Sequence, residues 1–438
     1  MAPPKPREIA YQALRRVDSP GDFLEHRLEE DAGFGALRED DRRLVQELVF
    51  GIVRRRATLD WLIALRTDGR RQRPDIRHLL HLGLYQLVFL NRIPSHAAVN
   101  ETVAVARTVG LGAQSGFLNA VLRETIRNLP ATHEALARLV ETDLATFSSH
   151  PEWLVARWVA RYGEADTRQL LALNNLAPKT FARANPLRME VDELQRLWVQ
   201  EGVVAERCEF SWSSSEGIFE LKQHPRLAGL TSFQRGGFYV QDPSTVLAVK
   251  LLDPRPGEEI LDTCAAPGGK TVLMAARMQN RGGILAEDAN PDRLPMLREN
   301  VDRLGASCVT VPPVGDRGST ALFIAGTSQT FDRVLVDAPC SNTGVLRRRV
   351  ELRWRLQPEI FEKLRVEQLE ILRRAAARVR PGGVLVYSTC SLEPEENAEV
   401  ATDFLRLESQ FTEDVRQEIL PWRDHVDGAF GVRFRRTP

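Results

Sequence analysis

Two cysteines, Cys340 and Cys390, lie where this sequence places groups that can do chemistry. Each follows closely on a short apolar run that predicts a β-strand, 334–336 for the first and 384–387 for the second, and each has polar neighbours. Free cysteine is usually a small, buried and inert hydrophobe. Two cysteines just past the ends of neighbouring strands fit that role poorly, and a thiol in this position can act as a covalent nucleophile.

A glycine-rich segment between the predicted strand 260–261 and a predicted helix is a candidate ligand-binding loop. Its residues are Cys264, Ala265, Ala266, Pro267, Gly268, Gly269 and Lys270. Small residues let a ligand approach the backbone closely, and the start of the following helix offers free N–H groups. A tight turn between a strand and a helix has the same composition, so the glycines alone leave both interpretations open.

Acidic residues follow the next two predicted strands. Asp288 comes after strand 284–286, where an acid can accept hydrogen bonds from ribose hydroxyls, and its neighbour Glu287 competes for that role. Asp316, after strand 309–311, is a candidate contact to an adenine amino group. Each of these acids also fits an ordinary turn or helix cap.

The elements that must position these groups alternate between short apolar runs and helical stretches from residue 237 onward. The predicted strands are 260–261, 284–286, 309–311, 334–336 and 384–387. This alternation predicts parallel strands joined by right-handed helical crossovers. Ligands bind beyond the carboxyl ends of such strands, and every motif above falls there.

Two further domains precede this α/β domain, which we assign to residues 236–438. Apolar residues recur at three- and four-residue spacing from about residue 7 to residue 127, which predicts an all-α domain over 1–140. Residues 141–235 mix predicted strands (180–185 and 218–222) with an amphipathic helix at 191–201. We expect a small α/β insert there.

Composition excludes several classes of protein. The 59 acidic and 59 basic residues cancel, so no global positive field marks a nucleic-acid-binding protein, although a local basic face would suffice to bind RNA. Five widely spaced cysteines favour neither a disulfide framework nor a zinc site. Because no signal-peptide pattern or run of eighteen apolar residues is present, we expect a soluble, cytoplasmic protein. Because the cysteines lack metal-ligand spacing, we expect no metal.

Taken in order, these motifs resemble the RNA cytosine-C5 (m5C) methyltransferase family, which includes the bacterial RsmB/Fmu/Sun-like 16S rRNA enzymes and the eukaryotic NOL1/NOP2/Sun proteins. The resemblance rests on the glycine-rich loop and on residues 337–344 and 388–391. Residues 41–51, 96–101 and 116–123 also resemble the antitermination protein NusB. The resemblance implies an all-α NusB-like N-terminal domain, a small α/β RNA-binding insert and a C-terminal Rossmann-like class I methyltransferase domain.

The same resemblance assigns roles to residues. It implies that S-adenosyl-L-methionine is bound by residues 264–270 together with Asp288, Asp316 and Asp337. It makes Cys390 the nucleophile and Cys340 the second cysteine. RNA, with 16S rRNA as the expected target, is the implied partner, and we expect a monomer.

Cytosine chemistry explains why such residues are needed. C5 is a poor nucleophile, so a thiolate must first add to C6 and create an enamine-like ring. Negative charge on the ring is relieved if an acid acts at N3, a role for Asp337. The C5 proton must then leave, and Cys340, directly or through a water, is the candidate for that step. The target base must be unpaired or extruded from its stack.

A cluster of arginines follows the Cys340 motif and suggests a site that holds RNA phosphates. Its members are Arg347, Arg348, Arg349, Arg353 and Arg355. A charge run of this kind is more often a solvated helix face. For Trp153, Trp158 and Trp212 we expect packing in a core rather than base stacking.

Three alternatives remain open at this stage. A DNA cytosine-C5 methyltransferase would use Cys340, in its Pro-Cys dipeptide, as the nucleophile. A tRNA enzyme would share the same chemistry on another substrate. A non-catalytic RNA-binding or antitermination factor built on the helical domain would have no use for Asp337 and the two cysteines.

Overall fold

The structure, a computed structural model, describes residues 5–17, 23–313 and 329–438, without the side chains of 214–216. Contacts divide the chain into two compact units. Unit 1 contains residues 1–177 and 346–358, and unit 2 contains residues 178–345 and 359–438. The short segment 346–358, which comes soon after Cys340 in sequence, therefore folds as part of unit 1.

Unit 1 is helical throughout its described part. Its helices are α1 (Pro6–Arg15), α2 (Leu24–Glu29), α3 (Ala32–Gly35), α4 (Glu39–Arg54), α5 (Arg56–Arg66), α6 (Pro74–Phe89), α7 (Ser95–Thr108), α8 (Ser115–Arg127), α9 (Leu129–Thr142), α10 (Leu144–Ser148) and α11 (Glu152–Asn174), with a four-residue helix at Leu352–Arg355. The helix α6 starts at Pro74, and proline suits the first turn because its fixed φ is helical and no N–H is lost there. Leu79, Leu80, Leu82 and Leu84 of α6 are buried in one apolar cluster with residues from α1, α4 and α8.

A small antiparallel sheet opens unit 2. Its strands are β1 (Phe181–Ala184), β2 (Val204–Phe210), β3 (Ser213–Gln223) and β4 (Phe238–Val240), in the order β2-β3-β1-β4. The helices α12 (Val191–Gln200) and α13 (Thr231–Gln234) accompany it. Trp198 of α12 packs edge-on against Phe219 and Phe238 in the core of this insert. The predicted strands at 180–185 and 218–222 and the helix at 191–201 are confirmed.

The rest of unit 2 is a seven-stranded sheet with helices. Its strands are β5 (Glu259–Asp262), β6 (Gly283–Ala286), β7 (Val309–Thr310), β8 (Phe331–Asp337), β9 (Val379–Thr389), β10 (Phe411–Ile419) and β11 (Ala429–Arg436), and its helices are α14 (Val246–Leu252), α15 (Gly269–Arg277), α16 (Leu294–Leu304), α17 (Ile360–Ala376), α18 (Ala398–Leu407) and α19 (Pro421–Asp424). The strand order is β10-β11-β9-β8-β5-β6-β7. Strands β5 to β9 are parallel, whereas β10 and β11 run antiparallel. The five predicted parallel strands are confirmed, and β2, β4, β10 and β11 were not predicted.

Alternating side chains of the central strands build a core on each face of this sheet. Val384 and Val386 of β9 pack in one apolar cluster with α14, α15 and α16. The residues that alternate with these valines, Leu385 and Tyr387, pack in the other cluster with α17 and α18. Because successive residues of a strand face opposite sides, a strand covered on both faces reads as a continuous apolar run. This pattern explains why the central strands were recognisable from sequence.

Candidate active site

The carboxyl ends of β8 and β9 bring the two sequence-predicted cysteines together. The strands are parallel neighbours, with Asp337 in register with Ser388. Cys340 lies three residues beyond the end of β8, and Cys390 directly follows β9. The Cys340 Sγ atom lies 3.3 Å from the Cys390 Sγ atom, within hydrogen-bond distance for two sulfurs.

Asn342 ties the two cysteine-bearing loops together. The Cys390 thiol donates to Asn342 Oδ1 at 3.1 Å, while Asn342 Nδ2 donates to the backbone carbonyl of Cys340 at 2.7 Å. Asn342 has φ +62°, a left-handed conformation that asparagine tolerates better than most residues. The sequence analysis assigned Asn342 no role. Its one local signal was its place two residues after Cys340.

The electrostatics of the sulfur pair distinguish its two members. The hydrogen bond with Cys390, then burial, then the nearby Glu396 carboxylate raise the pKa of Cys340 well above the ordinary thiol value. Cys340 is therefore a thiol at neutral pH, and its S–H can donate to the sulfur of Cys390. Cys340 is therefore the member of the pair whose surroundings favour the protonated form.

Asp337, the last residue of β8, forms an ion pair with Lys270. Asp337 Oδ2 accepts from Lys270 Nζ at 2.6 Å, and Asp337 Oδ1 accepts from Ser388 Oγ at 2.8 Å. Burial works against a charged ammonium, but Asp337 outweighs it and raises the pKa of Lys270. Lys270 is therefore the proton-bearing member of the pair.

The glycine-rich loop leads from β5 into the N-terminus of α15. Gly268 has φ +105°, and a side chain there would meet Leu297, so a glycine is required at this turn. Among the described residues, no side chain caps the first turn of α15, which leaves its N–H groups available to a ligand. The loop therefore offers close backbone approach and free donors, as the binding of an adenosyl cofactor requires.

Asp288 is attached to this loop. Asp288 Oδ2 accepts from the backbone N–H of Ala266 at 3.1 Å, and Oδ1 accepts from that of Asn290 at 3.0 Å. Arg293 lies 3.2 Å from the same carboxylate. Oδ1 has a second lone pair, so Asp288 can still accept from a ribose hydroxyl.

The neighbouring acids differ from Asp288 in their surroundings. Glu287 is buried, and neither of its carboxylate oxygens has a hydrogen-bond partner among the described residues. Burial raises the pKa of Glu287. Asp262, at the end of β5, accepts from Thr271 Oγ1 at 2.8 Å, and burial raises its pKa to about 7. Asp316 lies outside the described residues, so its predicted adenine contact stays a prediction.

The predicted phosphate-holding arginine cluster is wrong for Arg353. This side chain is fully buried in unit 1 and donates to Asn175 Oδ1 and to the Asn174 carbonyl, both at 2.9 Å. Arg349 stacks on Phe23, with 3.9 Å from its guanidinium carbon to the ring centroid. Arg353 therefore stabilises unit 1 and is not available to RNA.

The prediction that tryptophans pack in cores is confirmed for two of the three. Trp158 and Trp212 are buried, and Trp212 Nε1 donates to the carbonyl of Pro243 at 3.1 Å.

Within the described part of the chain, no group of three or more His, Cys, Asp or Glu residues could hold a metal ion. None of the described helices is both long and apolar enough to cross a membrane.

Three segments of the chain match known protein families. Residues 4–127 match the NusB family, residues 150–218 match a ferredoxin-like domain of RsmF/B-like methyltransferases, and residues 249–437 match the family described as 16S rRNA methyltransferase RsmB/F. A probable ribosomal RNA small subunit methyltransferase B of Bacillus subtilis is 33% identical over 98% of both chains. The chain belongs to the 16S rRNA methyltransferase RsmB/F family.

Further relatives support this membership. The ribosomal RNA small subunit methyltransferase B of Yersinia pseudotuberculosis is 37% identical over 97% of both chains. The crystal structure of PH0851 has the same fold, with a TM-score of 0.79 over 98% of this chain and 99% of that one at 24% identity. The expected fold is confirmed: a NusB domain, a ferredoxin-like insert and a Rossmann-like methyltransferase domain. As a member of this family, the chain is an S-adenosylmethionine-dependent methyltransferase of ribosomal RNA.

Proposed function

We propose that this enzyme methylates C5 of a cytosine in 16S rRNA through a covalent bond between Cys390 Sγ and C6 of the base. The observation that carries the proposal is the 3.3 Å sulfur–sulfur distance between Cys340 and Cys390. Two adjacent thiols match the two tasks of the reaction, which are addition at C6 and removal of the proton from C5. Methylation at an exocyclic amine or at an oxygen would need no thiol.

The first step uses Cys390 as the nucleophile. Its thiolate, which receives the S–H of Cys340, adds to C6, and the electron pair of the C5–C6 double bond moves into the ring toward N3. The Lys270 ammonium, which Asp337 holds, supplies positive charge and a proton for that negative charge. Asp337 thus acts together with Lys270 and not as an isolated acid.

S-adenosylmethionine, when bound, supplies the electrophilic methyl group for C5. The residues proposed to hold it are the loop 264–270, Asp288 and Asp337. The N–H groups at the start of α15 and the Asp288 carboxylate offer donors and acceptors on the same loop. These residues bind and orient, and they also limit the access of water to the reacting face.

The last step releases the product. A proton leaves C5, and the electron pair re-forms the C5–C6 double bond as the bond between C6 and the sulfur of Cys390 breaks to regenerate the thiolate. The proton on N3 returns to Lys270. Cys340 is the proposed acceptor of that proton, directly as a thiolate or through a water. Because Cys340 is a thiol at rest, it must first lose its own proton to water, and its raised pKa then makes it a strong base.

Trapping on RNA that contains 5-fluorocytosine tests the assignment, because fluorine at C5 cannot leave as a proton. The wild-type enzyme and Cys340→Ala should form a covalent adduct with a 16S rRNA transcript, and Cys390→Ala should form none. An adduct that requires Cys340 instead would contradict the proposal. An adduct with a tRNA or DNA of equal cytosine content, but not with 16S rRNA, would contradict the proposal that 16S rRNA is the substrate.

Bisulfite sequencing of 16S rRNA from a strain that lacks the gene identifies the target. One cytosine should lose its protection and regain it when the wild-type gene, but not Cys390→Ala, is returned. An unchanged protection pattern would reject 16S rRNA as the substrate.

A further inference from the structure

Glu396 is a buried carboxylate that is fully occupied by hydrogen-bond donors. It lies seven residues after the end of β9 and has no solvent exposure. Oε2 accepts from the backbone N–H of Ser341 at 2.8 Å and from Gln368 Nε2 at 3.0 Å. Oε1 accepts from Ser391 Oγ at 2.6 Å and from the hydroxyl of Ser341.

Three of these four donors belong to the two loops that carry the cysteines. Ser341 directly follows Cys340, and Ser391 directly follows Cys390. One carboxylate therefore accepts hydrogen bonds from both loops at the residue next to each sulfur. Gln368 of α17 fixes a third point, because its Nε2 also donates to the carbonyl of Pro339 at 2.8 Å.

Glu396 has no part in the proposed chemical steps, although a buried carboxylate is costly unless it is hydrogen-bonded. Both of its oxygens are satisfied, and burial raises its pKa. Its charge also helps to raise the pKa of Cys340. The Glu396 carboxylate therefore affects the protonation of Cys340. Because it accepts from both loops, it also affects the distance between the two sulfurs.

We propose that Glu396 is a positioning residue that sets the separation of the Cys340 and Cys390 sulfurs by holding Ser341 and Ser391 on one carboxylate. The inference rests on the proposed function for its catalytic meaning. The two sulfurs serve adjacent ring atoms, so a displacement of one loop by about 1 Å would cost a large part of the rate. Glu396 does not touch the reacting atoms; it acts through the loops.

An arsenical that requires two close thiols measures this geometry without RNA. Phenylarsine oxide condenses with two thiols to a cyclic dithioarsenite and releases one water. The wild-type protein should take up one equivalent at the pair, and Cys340→Ser should lose it. Glu396→Ala should bind the arsenical at least about tenfold more weakly. Glu396→Gln, which can still accept from Ser341 and donate to the hydroxyls, should fall between Glu396→Ala and the wild type.

Glu258→Ala is the matched control. Glu258 is also a carboxylate in multiple hydrogen bonds, to Arg333 at 2.6 and 2.9 Å, but it precedes β5 at the other end of the strands. It should bind the arsenical as the wild type does. If Glu396→Ala does not fold, the double variant Ser341→Ala/Ser391→Ala takes its place. It removes the two hydroxyl contacts to Oε1, while the Ser341 N–H and Gln368 Nε2 still donate to Oε2, and it should show a smaller loss in the same direction.

Kinetics separate positioning from a general structural role. In Glu396→Ala, kcat for methyl transfer to 16S rRNA should fall at least about 30-fold, while KM for S-adenosylmethionine changes less than about twofold. Glu396→Gln should recover part of kcat. Wild-type arsenical affinity in Glu396→Ala, or an equal loss in Glu258→Ala, would overturn the proposal. If the wild-type enzyme methylates no cytosine, the proposed function fails, and the arsenical experiment still decides whether Glu396 sets the sulfur pair.

Discussion

Lys270 Nζ lies 2.6 Å from Asp337 Oδ2, so the glycine-rich loop and the end of β8 are joined by an ion pair beside the two cysteines. The pair connects the proposed cofactor loop with the proposed catalytic residues, since Lys270 is the second residue of α15 and Asp337 precedes Cys340 by three residues. It also provides a positive charge at the carboxyl ends of the strands. A charged group in this place is poised to stabilise an anionic ring.

Asp337→Asn should reduce kcat for 16S rRNA by about 100-fold, because the amide holds Lys270 without a compensating charge. Lys270→Met should have a similar effect. The double variant should lose little more than either single variant, since the two side chains act as a unit. Initial rates of methyl transfer with a radiolabelled methyl donor measure these losses. Lys363→Met, which changes an exposed residue of α17, is the control. Fully additive losses in the double variant would contradict the paired role of Asp337 and Lys270.

Asn342→Gly should lower kcat by about tenfold without a large change in thermal stability. Glycine accepts the left-handed backbone at this position but removes the contacts to Cys390 Sγ and to the Cys340 carbonyl. Asn342→Asp should be slower still at pH 7, because a carboxylate beside Cys390 disfavours its thiolate, and its rate should recover as the pH is raised. A pH–rate profile identical in Asn342→Asp and the wild type would contradict this.

Asp262 should make unit 2 less stable as the pH rises. Its folded pKa of about 7 lies above the ordinary value of 3.8, so folding favours the protonated form. The free energy of unfolding is therefore highest at low pH. It decreases as the pH rises above 3.8, where the unfolded carboxyl ionises, until the folded carboxyl also ionises near pH 7. Between pH 5.5 and pH 8 the wild type should lose about 2 kcal/mol relative to Asp262→Asn. Denaturant unfolding without methyl donor measures the difference.

Asp302→Asn, which alters an exposed carboxylate on α16, is the control for this experiment and should follow the wild type. Parallel pH dependence in the wild type and Asp262→Asn would show that Asp262 does not titrate near neutrality.

Arg353→Met should destabilise unit 1 by about 3 kcal/mol. The substitution keeps the volume but leaves the Asn174 carbonyl and Asn175 Oδ1 without their buried donor. Limited proteolysis should then cut unit 1 at a lower temperature than in the wild type. The control is Arg38→Met, at an exposed position before α4, which should be cut at the same temperature as the wild type. If Arg353→Met is also cut at the wild-type temperature, Arg353 does not stabilise unit 1.

Asp288→Asn should weaken S-adenosylmethionine binding by about tenfold, and Glu287→Gln should weaken it less than about twofold. Asp288 accepts from Ala266 within the loop, so its loss affects both the ribose contact and the loop. Calorimetric titration of the two variants measures the dissociation constants. The reverse order of effects would assign the ribose to Glu287.

Much of the fold could be predicted from local patterns. β8 and β9 are buried on both faces and read as apolar runs, so their positions and their parallel arrangement were recognisable. β10 was not, because most of its side chains are polar and only its first and last residues are buried. An edge strand of this composition carries no apolar alternation for a sequence-based prediction to detect.

By itself, the sequence determined that Cys340, Cys390 and Asp337 follow parallel strands, and hence that they meet at one edge of the sheet. Only the tertiary structure decided which groups surround them. Glu396 contacts Ser341 across 55 residues of chain, and three acids at 393, 395 and 396 look alike in sequence. The arginines after Cys340 were likewise predicted to be exposed, whereas Arg353 is buried in unit 1. Strand ends are fixed by local periodicity, but contacts between distant segments depend on packing, which leaves no periodic trace in the chain.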